Sequence, residues 1–282
     1  MKNSRRNFIQ QTAMSMAAAV ALPLAGNATN MPFKAEKKEA SLPIGFAGYT
    51  FAKYDLDKSI EMMKRLNVLN LSVKDFHLPL NSTQAQANTV MDKFKAAGIN
   101  VYAVGVIYMK SQEAVDQAFE YAKRVGVNMI VGVPNYELLD YTEQKVKDTG
   151  IRMAIHNHGP EDKLYPGPGQ VYERIANRDI RMGLCLDIGH ATRAGVDPVK
   201  AVKQYKDRLF DMHIKDVSLK AQDGKAIEVG RGVIDFEELV EALNKIKFTG
   251  FSSIEYEKDM TDSLAGMAES IGYFRGVINC VG

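Results

Sequence analysis

The segment IRMAIHNHGPED, Ile151 to Asp162, decides how the rest of the chain is read. A short apolar run ends in two histidines, His156 and His158, and a carboxylate, Glu161, follows three residues later. In an extended chain, residues two apart share a face. Both imidazoles therefore point the same way, at the place where a strand stops and the Gly159-Pro160 loop begins. Three later apolar runs also end in histidines or carboxylates, namely GLCLDIGH (183–190), FDMHIKD (210–216) and SSIEYEKD (252–259). The chain has five histidines, and four of them stand at such ends, a clustering that asks for a chemical reason.

Outward from this segment the pattern alternates. Apolar runs predict strands over 44–51, 68–73, 99–107, 129–133, 151–155, 182–186, 209–214 and 251–254. Apolar residues at helical spacing predict helices over 56–66, 83–97, 112–125, 136–148, 171–176, 236–246 and 263–277, with a further helix opening at Asp197-Pro198. Gly98, Gly126 and Gly150 follow three of them as C-terminal stops. Continuous apolar strands alternating with helices indicate a parallel sheet covered on its outer face. Eight such units predict α/β architecture closed into a single (β/α)8 TIM barrel over 42–282. No GxGxxG or GxxxxGK[ST] follows the first strand, which removes the usual nucleotide-binding alternative.

Before the barrel, Ser4-Arg5-Arg6-Asn7-Phe8-Ile9 and the Ala-rich run 13–25 match a twin-arginine export signal. Residues 1–28 are expected to be that signal, cleaved after Ala28, and 29–41 a linker. Periplasmic export is the resulting expectation, with no membrane attachment after cleavage. The chain carries a formal charge of +2, and the signal holds three basic residues and no acids, so the remainder is near −1. A near-neutral protein offers no electrostatic case for nucleic acid or an anionic membrane. Cys185 lies in an apolar run and Cys280 beside the C-terminus, a placement that predicts two free thiols.

In such a barrel the chemistry lies at the C-terminal ends of the strands. The suspicious residues fall there: Lys74 and His77 after strand two, His156, His158 and Glu161 after strand five, Asp187 and His190 after strand six. His213, Lys215 and Asp216 follow strand seven, and Glu255 and Glu257 strand eight. A lone residue of this kind usually orders a loop. Four consecutive strands that each place a His or carboxylate at one level predict a divalent metal (Mn, Mg, Co, Fe or Zn), since mixed imidazole and carboxylate ligands suit these ions. His77 and Asp216 are expected to be loop-ordering residues.

With HNHGPE, CLDIGH, DMHIKD, VGRGVIDF and SIEYE in place, the chain resembles the xylose isomerase-like TIM-barrel superfamily, the sugar phosphate isomerase/epimerase group. The resemblance spans the whole barrel. It implies a metal held by Glu161, Asp187, His213 and Glu255, with His158 or His156 as the fallback for Glu161. It matches His190 to a histidine that contacts substrate and Lys215 to the lysine of an H-x-K-D run. Many members carry Glu where this chain has His156, and a glycine-acidic-glycine turn where it reads Gly230-Arg231-Gly232. Arg231 and Lys74 could each bind a substrate oxygen or serve the loop that carries them.

A metal beside a sugar carbonyl stabilises the charge that develops when the adjacent C–H is deprotonated. His156, His158 and His190 are the candidate bases, since imidazole titrates near neutrality. An exported enzyme rarely meets sugar phosphates, and no phosphate cradle is evident, so the expected partner is an unphosphorylated carbohydrate. The resulting expectation is an isomerase or epimerase. The alternatives are a lyase that cleaves 3-keto-glycosides by β-elimination and a non-catalytic sugar-binding barrel. A homo-oligomer stays open.

Overall fold

The computed structural model describes residues 42–281, so the expected signal and linker lie outside the described residues. Eight strands close into a barrel: Ile44–Ala47, Asn70–Val73, Asn100–Met109, Met129–Pro134, Arg152–His156, Met182–Asp187, Leu209–Ile214 and Phe251–Ile254. Every strand pairs in parallel with the next, and the eighth closes on the first with Ile44 opposite Ser252 and Phe46 opposite Ile254. The fold is a TIM barrel.

The helices form where the sequence supplies both an apolar face and a stop. Asp55 caps Leu56–Leu66 by accepting from the Lys58 N–H at 2.7 Å, and the helix buries Met62, Met63 and Leu66. Each such side chain contributes roughly 1.5–3 kcal/mol on burial. Thr83 and Gln86 form a reciprocal capping box on Gln84–Ala96. Gly126 and Gly150 end their helices in the left-handed conformation, as their positions predict. Among the described residues no helix is long and apolar enough to cross a membrane.

Three local features differ from the sequence pattern. Residues 48–51, expected to lengthen the first strand, form a 3-10 turn instead. The cause is Thr50, whose hydroxyl donates to the Ile254 carbonyl at 3.1 Å and accepts from the Tyr256 N–H at 3.0 Å, pulling the chain across to the eighth strand. A six-residue helix, Ile188–Arg193, starts directly from the sixth strand, its first turn capped by Asp187. The polar insertion after strand seven contains a small antiparallel hairpin, Asp216–Val217 with Ala226–Ile227. Asp216 gathers that loop: its carboxylate accepts from the backbone N–H groups of Val217, Gly230, Gly232 and Ile234. Gly232 must be glycine here, since a Cβ would lie 2.1 Å from Asp216 Oδ1. The loop-ordering role expected of Asp216 is therefore what its contacts show.

Lower in the barrel the interior is sealed by Tyr102, stacked 3.9 Å from Phe251 and bonded through its hydroxyl to Asp211 and Ser253. The polar groups above this plug face the opposite mouth.

Candidate metal centre and active site

Inward-pointing ends of four strands bring His156, Asp187, His213 and Glu255 together, with one ligand atom from each lying within 4.8 Å of the others. All four are at least 95 % buried. His156 Nε2 is 3.0 Å from His213 Nδ1 and 3.7 Å from Asp187 Oδ2, and His213 Nδ1 is 3.3 Å from Glu255 Oε1. An ion bound tetrahedrally at about 2.0–2.1 Å places its ligand atoms roughly 3.3–3.4 Å apart, and these separations bracket that value. Asp187 Oδ2, the oxygen that faces His156 Nε2, is a buried atom without a hydrogen-bond partner. Buried polar atoms left in this state are uncommon.

Charge points the same way. Lys215 Nζ lies 3.2 Å from Asp187, 2.8 Å from Glu255 and 3.0 Å from Glu257, so one buried ammonium faces three carboxylates. Carboxylates outnumber the ammonium here, and a bound cation would offset the excess negative charge. Burial works against ionising Asp187, yet His190, Lys215 and His156 outweigh it and hold the carboxyl well below its ordinary range. Burial likewise opposes Glu255, where Lys215 and His213 prevail and keep it ionised. Burial pulls His156 down to about 3, so its ring is neutral and free to ligate.

Asn157 locks two of the strand ends together, its amide donating to the Asp187 carbonyl at 3.1 Å and accepting from the Asp187 N–H at 3.0 Å. Gly189 leaves room for the Lys215 stem, which a Cβ there would meet at 2.8 Å.

The structure separates Glu161 from this set. Its side chain is 53 % exposed and paired with Arg193 at 3.0 Å, because the Gly159-Pro160 turn carries it away from the barrel axis. His156, the last residue of the fifth strand, occupies the place expected of Glu161. Arg231 also lies apart, held on the outer face by Glu269 of the C-terminal helix with 60 % of its side chain exposed. The substrate contact expected of Arg231 is not offered by that position.

Beside the cluster opens a cavity of about 370 Å³ lined by Tyr49, Lys74, Val106, Tyr108, His156, His158, His190, Glu255 and Glu257. The three candidate bases differ there. His156 belongs to the ligand group. His190 sits between two cations, Arg193 Nη1 at 3.3 Å from Nδ1 and Lys215 Nζ at 3.4 Å from Nε2; burial and Lys215 pull it down to about 4. His158 has a carboxylate behind it, Asp162 Oδ2 at 3.5 Å from Nδ1, while Nε2 is 2.8 Å from the Tyr108 hydroxyl. The other oxygen of Asp162 accepts from the Leu164 and Tyr165 N–H groups at 2.7 Å, which fixes it behind the imidazole.

Lys74 lines the cavity with its ammonium 2.5 Å from Asp75. His77 is bonded to the Tyr54 carbonyl and Ser59, away from the cluster, as expected of a loop residue. Sequence reading missed Asp162 and Arg193. Arg193 ties Glu161, His190 and the Gln222 carbonyl together. Nothing in a short helix hidden within an apparent loop marks that arginine in advance.

A closed barrel with an imidazole-carboxylate cluster at the C-terminal mouth defines a class of metal-dependent enzymes on this fold. The chain belongs to the xylose isomerase-like TIM barrel family, whose profile matches residues 82–277. It is 29 % identical over 136 residues to inosose dehydratase of Lacticaseibacillus casei, covering 43 % of this chain and 45 % of that protein. The chain thus spans about half the length of the curated relatives it matches. Among solved structures it is similar to a D-tagatose 3-epimerase-like protein, with a TM-score of 0.70, 17 % identity and coverage of 85 % and 98 % of the two chains. It is also similar to the IOLI protein with a bound zinc atom, with a TM-score of 0.68, 18 % identity and the same coverage. At these identities the two structures speak to fold alone.

Proposed function

We propose that this protein is a divalent-metal-dependent enzyme that removes the proton next to the carbonyl of an unphosphorylated sugar, acting as an isomerase or epimerase in the periplasm. The observation that carries this reading is the convergence of His156, Asp187, His213 and Glu255 on one point beside an open cavity. A bound divalent ion would supply Lewis-acid stabilisation of negative charge on the sugar oxygens. His158 takes the proton: it faces the cavity, Asp162 lies 3.5 Å from Nδ1 and offsets part of the burial that lowers its pKa, and the Tyr108 hydroxyl holds Nε2 at the cavity side. His190 would have to become charged between Arg193 and Lys215 to act as base, so it serves as a neutral hydrogen-bonding contact to substrate. Lys74 lines the cavity as a hydrogen-bond donor for a sugar oxygen, while Lys215 stays buried against Asp187, Glu255 and Glu257 and holds those carboxylates in place. The periplasmic part rests on the twin-arginine pattern at Arg5-Arg6.

A second reading is elimination. If a leaving group sits β to the carbonyl, the C–H proton goes to the base, the C–O bond breaks and the leaving oxygen takes up a proton. Two features favour it: His156 replaces the strand-five carboxylate that would return a proton, and the curated relative is a dehydratase. Incubating metal-analysed protein in D2O with a ketose panel and with 3-keto-glucosides, followed by NMR, tests both. Deuterium entering beside the carbonyl with a rearranged sugar selects the isomerase or epimerase. Aglycone release selects the lyase, and absence of exchange in every substrate removes both.

A further inference from the structure

We propose that the substrate carries a second ring, a neutral sugar or aryl group joined to the reacting sugar, and that this ring lies on Tyr49 and Phe76. The inference rests on the proposed function and names the substrate class of the same site. Among the described residues six large apolar side chains are well exposed, and three of them are Tyr49 at 41 %, Phe76 at 42 % and Tyr108 at 50 %. All three stand where the first three strands end, opposite the ionic half of the mouth built by strands five to eight. Exposed aromatic side chains gathered in one place mark a binding surface.

The patch is continuous with the active cavity and is held in shape. Tyr49 and Tyr108 line the cavity wall, while Phe76 lies beyond it with its ring centroid 6.4 Å from that of Tyr49, tilted 53°. Phe76 packs edge-on against His77 at 4.8 Å, and His77 is itself anchored to the Tyr54 carbonyl at 2.9 Å. A buried, hydrogen-bonded histidine thus props up an exposed phenylalanine, an arrangement that core packing does not require.

Lys74 is paired with Asp75, and Lys215 with three carboxylates. Flat apolar faces suit the C–H face of a pyranose or an aryl ring. Phe76 lies beyond the cavity wall, so a ring joined to a sugar held in the cavity is the part of the substrate that would meet it.

Phe76→Ala tests this, with Phe76→Tyr as the conservative control. The measured quantity is kcat/KM for deuterium exchange in D2O, using 3-keto-glucose and the 3-keto form of p-nitrophenyl glucoside. For the two-ring substrate, kcat/KM should fall about tenfold, chiefly through KM, the size expected for one lost aromatic contact. The one-ring value should stay within about twofold, and Phe76→Tyr should restore the two-ring value. Equal losses on both substrates, or no loss on either, overturn the proposal. If the wild type exchanges neither substrate, the proposed chemistry is what has failed. Calorimetric binding of unoxidised p-nitrophenyl glucoside to wild type and Phe76→Ala then decides the inference alone: weaker binding by the variant supports it, and equal binding or none by the wild type overturns it.

Discussion

Two histidines separated by a single residue divide the work of the site. His156 is buried within the ligand group, whereas His158 lines the cavity with Asp162 behind it. His156→Ala should therefore lower the metal content of the purified protein. His158→Ala should leave metal content intact and reduce turnover by about 10²–10⁴-fold, the usual contribution of a general base. Metal analysis alongside kinetics reads both outcomes, and loss of metal in His158→Ala would reverse the assignment. His77 carries a different signal. Burial keeps its pKa below the ordinary histidine value, so the unfolded chain takes up a proton before the folded one does. Its contribution to stability is complete above the ordinary histidine pKa and is lost as pH falls from that value through the lowered one. A flatter slope of unfolding free energy against pH in His77→Gln over this acidic window is the expected result. Asp187, His213 and Glu255 were legible in the sequence because each stands at a strand end, and the family resemblance singled them out from the other residues there. Glu161 was misplaced because a residue in a Gly-Pro turn has no periodicity to fix its direction, and its partner Arg193 lies 32 residues away.

At the scale of elements, the loop after strand seven depends on one carboxylate. Four backbone N–H groups converge on Asp216, and two belong to glycines: a Cβ on Gly232 would strike Asp216, and one on Gly230 would strike Tyr273. Asp216→Ala leaves those donors unpaired and should cost at least about 2 kcal/mol, since each buried unsatisfied group costs about 1–3 kcal/mol. Hydrogen exchange across residues 217–234 should rise more than in the barrel strands. Unchanged protection there would show that the hairpin holds the loop without Asp216. The sequence read this region as a polar insertion and found Asp216 as its organiser, but not the hairpin, because two-residue strands are too short to show alternation. The 3-10 turn at 48–51 was hidden for another reason: its cause, the Thr50 bridge to Ile254 and Tyr256, spans more than 200 residues.

For the whole molecule, eight repeated strand-helix units made the barrel legible, since the rhythm survives small errors at each boundary. The strands that carry the cluster also close the barrel, so ion binding and barrel stability are linked. Four buried ligand groups from strands five to eight would hold one cation, and a cation that binds only the folded state stabilises it by about 2.7 kcal/mol at one hundred times its Kd. Chelation should lower the melting temperature, and adding back Mn, Co or Zn should restore it. Equal melting with and without chelator would mean that no ion is bound. Anomalous diffraction from crystals grown with such an ion locates it directly. One peak within bonding distance of His156, Asp187, His213 and Glu255 is the expected result. A peak at Glu161 instead, or none at the barrel mouth, would contradict the metal-centred reading of this protein.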